Sequence, residues 1–268
     1  MIPLICIDVD GTLVSSSGKV REPVWDAVDR ALERGQHLAL STARGAFAAA
    51  WDMAMRLDPA GWHVFHAGGA IVHTETGESR PHSLSVEQIQ TCRSVADSNE
   101  WILELYSPTA YAVEDDSPPS VDHAGLMGVP FVTTTFDEFV RNEPGIVRAQ
   151  FVVPVDDIDA VTKATVHAGL SVTSATSPIM PGVAFVSATQ AGITKATGIQ
   201  SICDVLGLTI DQVMMIGDGL NDLAAIEAVG YPVAMGNAAP EVKALARFEV
   251  AHVDNDGVAE ALDLSADL

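Results

Sequence analysis

The stretch that decides the fold is residues 4–12, which read LICIDVDGT. Its first four residues are apolar and stop at an acid, as in a short strand buried on both faces of a parallel sheet. Asp8 and Asp10 then stand at the carboxyl end of that strand, where open parallel sheets bind their ligands. Two carboxylates there are costly without a compensating charge, which a hard cation such as Mg²⁺ can supply. Taken alone, Asp10-Gly11 also fits an ordinary turn, and that alternative stays open.

The sequence on both sides of this strand alternates between apolar runs and helical patterns. Helices are predicted at 23–34, 45–57, 194–206, 221–229, 240–246 and 258–264, and strands at 4–7, 37–40, 64–65, 213–216 and 232–235. Alternation of this kind is typical of a parallel sheet with right-handed crossovers. The predicted fold class is therefore α/β, with a doubly wound, Rossmann-like core made from both ends of the chain.

The middle of the chain has a different pattern. Strands are predicted at 101–106, 110–113, 150–153, 172–174 and 184–187, and helices at 85–98 and 155–168, with a turn-rich stretch at 115–119. This mixture predicts an α+β domain inserted into the core. We therefore expect a core of residues 1–80 and 190–268 and an inserted domain of residues 81–189.

Composition limits the class of protein. The 268 residues include 36 acidic and 14 basic side chains, for a net charge of -22, which argues against nucleic acid or an anionic membrane as partner. The three cysteines are far apart and form no C-x-x-C pair, so a disulfide framework or a zinc site is not predicted. The chain begins with no signal-peptide pattern, and no apolar run is long enough to span a bilayer. The expectation is a soluble cytoplasmic protein.

A second acidic segment, residues 217–222 (GDGLND), follows another apolar strand. Asp218 stands at the carboxyl end of that strand, and Asp222 lies in the first helical turn, where the helix dipole favours a carboxylate. Capping of the helix by Asn221 and Asp222 is the alternative, and it explains that pair by itself. It does not account for a further strand-end carboxylate flanked by glycines.

Groups that can bind an anion follow other strands. Residues 41–44 (STAR) bring a hydroxyl, backbone amides and Arg44 to a predicted helix start, which suits a phosphate, although simple Ser/Thr capping is the alternative. Lys195 begins a helix, where a cation opposes the dipole unless an anion lies nearby; a solvated lysine is the alternative. Acids, a hydroxyl and a lysine at one sheet edge favour phosphoryl transfer, in which a carboxylate attacks while a metal and the lysine neutralise the phosphate.

Taken together, these residues give the sequence a pattern that resembles the haloacid dehalogenase superfamily. Its four motifs match in the usual order, as Asp8-Val-Asp10-Gly-Thr12, Thr42, Lys195 and Gly217-Asp218-Gly-Leu-Asn221-Asp222. The long insert between the second and third motifs resembles the α/β cap of the Cof-like sugar-phosphatase branch. Residues 234–238 (AMGNA) and 256–258 (DGV) also match that branch, whereas the insert itself matches only in size, position and general pattern.

The resemblance implies a role for each residue. Asp8 would be the nucleophile, and Asp10 would protonate the leaving oxygen and then activate water, while its backbone carbonyl binds Mg²⁺. Thr42 and Lys195 would hold the phosphoryl oxygens. The implied metal residues are Asp8, Asp10, Asp218 and Asp222, and the implied phosphate-binding residues are Gly11, Thr12, Ala43, Arg44, Lys195 and Asn221. An acid at position 10 resembles the phosphatases and mutases rather than the dehalogenases.

Four positions depart from the pattern of the branch. Ala43, Ala196 and Ala225 stand where Gly, Gly and Met are usual, and none of these changes removes a catalytic group. Gly68 stands where an Asn usually precedes Gly-Ala. The last departure puts in doubt any substrate contact that an Asn side chain would make.

The implied function is a Mg²⁺-dependent phosphatase that hydrolyses a small phosphorylated metabolite, a sugar phosphate, through an aspartyl-phosphate. A phosphomutase of the same superfamily and a metal- and phosphate-binding module without turnover are the alternatives, and the complete set of acids argues against the second. The insert has 4 basic and 14 acidic residues, so its net charge is 4 - 14 = -10. A cap of that charge favours a substrate whose remainder is neutral or weakly charged.

Overall fold

The computed structural model describes residues 1–268 and divides the chain into two compact units. The first contains residues 1–44, 52–78 and 194–268, and the second contains residues 45–51 and 79–193. The predicted domains, a core of residues 1–80 and 190–268 and an insert of residues 81–189, remain a prediction, and the two units differ from them at residues 45–51, 79–80 and 190–193. No helix has both the length and the apolar character needed to cross a membrane.

A five-stranded parallel sheet forms the centre of the first unit. Its strands are β1 (Leu4–Ile7), β2 (His37–Leu40), β11 (Val213–Gly217), β12 (Tyr231–Ala234) and β13 (Phe248–Glu249), in the spatial order β13-β12-β11-β1-β2. In the middle of the sheet, β1 pairs in parallel with β2 and β11, and every residue of β1 and β11 is buried. The apolar runs thus form the strands, and the predicted α/β class is confirmed.

The first unit also contains six helices, one of which is shared with the second unit. They are α1 (Glu22–Glu33), α2 (Ala48–Leu57), α7 (Lys195–Leu206), α8 (Leu223–Ala228), α9 (Pro240–Leu245) and α10 (Gly257–Asp267), with the division between the two units falling inside α2. Helix α1 shows why the sequence folds this way. Proline occupies its first turn, its buried stripe recurs at helical spacing, and Gly35 follows it with φ +78°, a conformation in which glycine is favoured.

The strand predicted at 64–65 does not join the parallel sheet as a regular member. It is β3 (Trp62–Phe65), which forms an antiparallel hairpin with β4 (Ala70–His73). Beside β2, side chains replace the ladder of β3: the Leu40 amide donates to His63 Nδ1 (3.0 Å) and the Leu38 amide to Asp58 Oδ2 (3.4 Å). Backbone pairing between the two segments occurs only as a single parallel bridge between Ser41 and Val64, one residue before Thr42.

The second unit is built on an antiparallel sheet. Its strands are β6 (Ile102–Tyr106), β7 (Tyr111–Val113), β8 (Arg148–Pro154), β9 (Leu170–Ser177) and β10 (Met180–Gln190), in the order β7-β6-β8-β10-β9, and the short β5 (Ser79–Pro81) precedes them. Its helices are α3 (Val86–Asn99), α4 (Pro118–Met127), α5 (Phe136–Asn142) and α6 (Ile158–Thr165). One apolar cluster, which includes Ile89 of α3, Phe151 of β8 and Val161 of α6, joins helices and sheet into a separate core.

Candidate active site

The predicted site residues follow the carboxyl ends of neighbouring parallel strands. Asp8 comes directly after β1, Asp218 directly after β11, and Thr42 two residues after β2. Ladder hydrogen bonds continue to these ends, because the Asp8 amide donates to the Ile216 carbonyl (3.0 Å) and the Ser41 amide to the Ile7 carbonyl (2.8 Å). The sheet therefore fixes where each side chain leaves the backbone.

Lys195 joins two acids from distant parts of the sequence. Its Nζ lies 2.5 Å from Asp8 Oδ1 and 2.5 Å from Asp222 Oδ1, and its side chain is completely buried. A cation at the first residue of α7 opposes the helix dipole, and these two carboxylates are the anions that compensate it. Burial by itself would lower the pKa of Lys195, but the two carboxylates outweigh it and raise that pKa, so the side chain is an ammonium.

Both carboxylate oxygens of Asp222 are engaged by the protein. While Oδ1 accepts from Lys195, Oδ2 accepts from the backbone amides of Asp218 (3.1 Å) and Gly219 (3.0 Å). Asp222 is fully buried. Asp222 thus joins Lys195 to the loop after β11. Its predicted role as a metal residue remains a prediction.

Asp218 is oriented by two donors that are remote in sequence. Thr12 Oγ1 donates to Asp218 Oδ1 (2.8 Å), and Asn237 Nδ2 donates to Asp218 Oδ2 (3.3 Å) and to the Gly11 carbonyl (2.7 Å). The side-chain oxygen of Asn237, Oδ1, in turn accepts a hydrogen bond from the Val253 amide (2.9 Å). Sequence reasoning assigned no role to Asn237, although its match to the Cof-like branch, within residues 234–238, was the signal that could have found it.

Gly11 is required by this arrangement for two reasons. Its φ is +87°, and a Cβ built on it would lie 2.3 Å from Asp218 Oδ2. An L side chain at position 11 would therefore be strained and would displace the carboxylate. The predicted phosphate-binding role of Gly11 remains a prediction, whereas its role in accommodating Asp218 follows from the geometry.

Three acids form a group that can hold a metal ion. One carboxylate oxygen from each of Asp8, Asp218 and Asp222 lies within 4.8 Å of the others, and oxygen donors of this kind are those that Mg²⁺ prefers. Burial raises the pKa of Asp8 from 3.8 to about 7, with the Lys195 ammonium opposing the rise and Asp222 adding to it. Burial also raises the pKa of Asp218. When all three acids are ionised, the one ammonium leaves two negative charges, so a divalent cation fits the cluster.

Asp10 lies outside this group of carboxylates. Its side chain is 64% exposed and forms two hydrogen bonds with Arg44, from Nη2 to Oδ1 (2.5 Å) and from Nε to Oδ2 (3.1 Å). The structure therefore pairs the predicted acid–base residue with the predicted phosphate-binding arginine. Only the backbone carbonyl of Asp10 was predicted to reach the metal.

The remaining predicted phosphate-binding residues differ in their surroundings. Thr42 is buried, and its Oγ1 accepts from the Arg44 amide (3.1 Å), which shapes the turn after β2. Ala43 and Asn221 are exposed. Thr12 is buried and donates to Asp218, as already described. The contact of Thr12 with phosphate remains a prediction.

Gly68 has a backbone conformation that no other residue could readily share. Its φ is +102°, and a Cβ there would lie 1.9 Å from the carbonyl oxygen of Thr194, the residue that precedes α7. Gly198 of α7 also packs closely against this region, since a Cβ on it would lie 3.0 Å from Gly68 Cα and 2.5 Å from Val64 Cγ1. The absence of the usual Asn is therefore part of a close approach between this loop and the helix that carries Lys195.

Comparison with known proteins agrees with this geometry. A family model described as haloacid dehalogenase-like hydrolase matches residues 5–262. The 5-amino-6-(5-phospho-D-ribitylamino)uracil phosphatase YcsE of Bacillus subtilis is 27% identical over 265 residues, which are 97% of this chain and 94% of that protein. A haloacid dehalogenase-like hydrolase from Bacteroides thetaiotaomicron has 25% identity and a TM-score of 0.82 over 98% of this chain and 99% of that one. BT1666 from the same organism, described among phosphatases of the superfamily, has 26% identity and a TM-score of 0.79, covering 100% of this chain and 96% of that one.

Proposed function

Because the chain belongs to the haloacid dehalogenase-like hydrolase family and is a phosphatase of that family, we propose that it hydrolyses a small sugar phosphate. Mg²⁺ is the proposed cofactor, and an aspartyl-phosphate on Asp8 is the proposed intermediate. The observation that carries the proposal is the buried Lys195 ammonium, 2.5 Å from both Asp8 and Asp222, beside a third carboxylate at the same sheet edge.

In the first step an oxygen of Asp8 attacks phosphorus and the bond to the leaving oxygen breaks. Lys195, which contacts Asp8 Oδ1, is placed to stabilise negative charge on the transferred phosphoryl group. Thr42 and the neighbouring backbone amides would orient the phosphoryl oxygens. Burial of Asp8 removes competing water from the attacking carboxylate.

Asp10 supplies and then takes back the proton. In its acid form it would protonate the departing alkoxide, and as a carboxylate it would then accept a proton from the water that attacks the aspartyl-phosphate. The second step breaks the bond between phosphorus and the Asp8 oxygen and releases inorganic phosphate. Since Arg44 binds both oxygens of Asp10, this scheme requires that the pair opens when substrate binds.

Asp8 and Asp218, with the Asp10 backbone carbonyl, are the groups proposed to hold Mg²⁺, while Asp222 fixes Lys195 and the loop. When bound, the ion would neutralise phosphate charge and align the ester for in-line attack. The fit rests on the two negative charges that Lys195 leaves uncompensated.

A sugar phosphate is proposed for two reasons. The relative YcsE acts, by its name, on a monophosphate whose remainder is a ribitylaminouracil. The insert of this chain, proposed to serve as the substrate cap, has the net charge of -10 noted above, and such a cap disfavours additional phosphate groups on the substrate.

The test is release of phosphate from p-nitrophenyl phosphate by the parent and by Asp8→Asn. Asparagine keeps the shape of the side chain but has no nucleophilic carboxylate, so we expect kcat to fall by at least about 10³-fold, with the fold intact by circular dichroism. Activity within tenfold of the parent would exclude Asp8 as the nucleophile. With a hexose phosphate in place of p-nitrophenyl phosphate, an isomerised sugar phosphate without free phosphate would instead support the phosphomutase alternative.

A further inference from the structure

The sheet of the second unit ends in a long strand with an open edge. Strand β9 pairs with β10 on one side and with no strand on the other. It has eight residues, and natural proteins usually shield an edge of this length with charged side chains, proline or a bulge. None of these occurs within β9, and its register irregularity lies on the β10 side, between Met180 and Ala184.

The edge lies in the longest uncharged stretch of the chain. Residues 164–194, a run of 31, contain no Asp, Glu, Lys or Arg. With 19% charged residues on average, a segment of that length would contain about six. An uncharged strand is therefore presented by a protein whose net charge is -22.

Two other terminal strands, β7 and β13, differ from β9. On the opposite edge of the same sheet, β7 has three residues and is followed at once by Glu114, Asp115 and Asp116. In the first unit, β13 has two residues and ends in Glu249. Short length and acidic neighbours protect these two edges from pairing, and β9 has neither.

The side chains of β9 divide the strand into two parts. Leu170 is buried and Val172 packs against the apolar cluster of this unit, which anchors the first half. The residues from Ser174 to Thr176 are exposed, and Thr173 beside them is exposed as well. The second half therefore presents small, uncharged side chains and unpaired backbone groups to solvent.

We propose that β9 is a self-association edge, where two copies of this chain pair β9 with β9 antiparallel about a two-fold axis. The two five-stranded sheets would then form one continuous sheet. A two-fold interface places the same surface opposite itself, which is repulsive wherever this acidic chain carries carboxylates. The uncharged edge is where two copies can approach closely, whereas a basic partner would be attracted to the acidic surface elsewhere.

Symmetry restricts the register of this pairing. Residues directly opposite one another in antiparallel strands point to the same face of the sheet. The two-fold axis must therefore lie where one residue faces its own copy, and the helices of both copies then lie on the same side of the joined sheet. Thr173 and Ser174, at the centre of β9, are the candidates, and the residue at the axis would lie opposite its own copy, as a Thr–Thr or a Ser–Ser pair whose hydroxyls can form a hydrogen bond. The contact is short, so the dimer is weak, and salt strengthens it by screening the repulsion between the copies.

The first experiment is sedimentation equilibrium of the full chain up to about 1 mM, at low salt and at about 0.5 M NaCl. We expect a monomer–dimer equilibrium whose dissociation constant falls with salt. An axis at Thr173 places the charge of Thr173→Glu opposite its own copy, and an axis at Ser174 does the same for Ser174→Glu, so the variant at the axis should raise that constant at least about tenfold. Ser94→Glu, which adds the same charge at an exposed position of α3, should leave it within about twofold.

A chain that remains monomeric under all these conditions would overturn the proposal, as would a dimer that both edge variants leave unchanged. A second measurement introduces one surface cysteine at a time, which is possible because all three native cysteines are buried. Directly opposed residues have Cα atoms about 4.5–5.5 Å apart, which a disulfide can bridge. Diamide should therefore crosslink Ser174→Cys or Thr173→Cys into a covalent dimer but not Ser94→Cys. Equal crosslinking of all three would contradict β9 pairing. Neither experiment depends on phosphatase activity.

Discussion

Asp218 is the carboxylate of the acidic cluster that no ammonium contacts directly. Its hydrogen bonds come from the neutral side chains of Thr12 and Asn237, so its charge is the one most available to a cation. We predict that Asp218→Asn raises the Mg²⁺ concentration needed for half-maximal phosphatase activity by about tenfold or more, because it removes a charged ligand while retaining an acceptor for Thr12. The measurement is a Mg²⁺ titration of activity. Asp267→Asn, at an exposed position of α10, is the control, and overlapping titrations of Asp218→Asn and parent would show that Asp218 is no ligand.

Gly68 provides a prediction about stability. Restoring the Asn that is usual in the branch would place a Cβ against the Thr194 carbonyl in a backbone conformation that L residues rarely adopt. We expect Gly68→Asn to lower the free energy of unfolding by about 2 kcal/mol or more. The matched control is Gly77→Asn, because Gly77 has φ +70° and a Cβ added to it would meet nothing within 4 Å, a setting that Asn tolerates. Urea unfolding measures the stability of both variants. Equal stability would mean that the loop at Gly68 and the Thr194 carbonyl can move apart without cost.

The residues that sequence reasoning identified share one property. Asp8, Asp218 and Lys195 stand where a strand ends or a helix begins, so the local pattern alone places them at one sheet edge. Asn237 and Gly68 could not be assigned roles in the same way, because their importance lies in contacts with Gly11, Asp218 and Thr194, which are remote in sequence. The pairing of Asp10 with Arg44 also depends on side-chain orientation, which spacing does not encode.

At the scale of elements, the outer edge of β2 depends on the protonation of His63. This fully buried ring accepts from the Leu40 amide at Nδ1 and donates from Nε2 to the Asp58 carbonyl (3.0 Å), an arrangement available only to the neutral tautomer. Burial lowers the pKa of His63 from 6.5 to about 4. Neutral His63 therefore stabilises the folded state fully above pH 6.5. This stabilisation declines as the pH falls toward 4, because the histidine of the unfolded chain binds a proton at a higher pH than that of the folded chain.

We predict that His63 accounts for a loss of up to about 3 kcal/mol of stability between these pH values. In His63→Asn, which keeps an acceptor for the Leu40 amide, the free energy of unfolding should fall less steeply over the same range. Chemical denaturation at several pH values measures the difference, with His37→Asn, an exposed histidine of β2, as the control. Parallel curves for His63→Asn and the parent would refute the assignment.

Elements with a strong apolar or cap pattern could be predicted, and those without could not. The runs that became β1, β2 and β11 are apolar almost throughout and gave the core correctly. Helix α4 lies partly in the stretch that sequence reasoning considered turn-rich, because Pro118 and Pro119 occupy its first turn rather than a loop. Strand β3 was expected in the parallel sheet, but the side chains of Asp58 and His63 take the place of its ladder beside β2.

At the scale of the whole molecule, charge leads to a prediction about the substrate. The cations of the site are engaged, Lys195 by two carboxylates and Arg44 by Asp10. Within the insert, Arg93 pairs with Asp137 and Arg148 lies over the Tyr106 ring. We therefore expect kcat/KM for a hexose monophosphate to exceed that for its bisphosphate by about tenfold, since the chain has a net charge of -22 and a second phosphate adds to the repulsion. Both are compared at fixed ionic strength, and a bisphosphate preferred by more than about tenfold would overturn the charge argument alone.

The pairing of β1 with β11 has a consequence for how the protein is made. Leu4 lies opposite Val213, so β1 acquires β11 as its second neighbour only after the roughly two hundred residues between them have left the ribosome. The second unit, with its own apolar core, is complete in sequence before β11 emerges. Contacts between residues so distant in sequence close late and slowly. Asp8 is synthesised long before Lys195 and Asp222, so a nascent chain carries its proposed nucleophile without the lysine that contacts it in the folded protein until residues 195–222 have emerged.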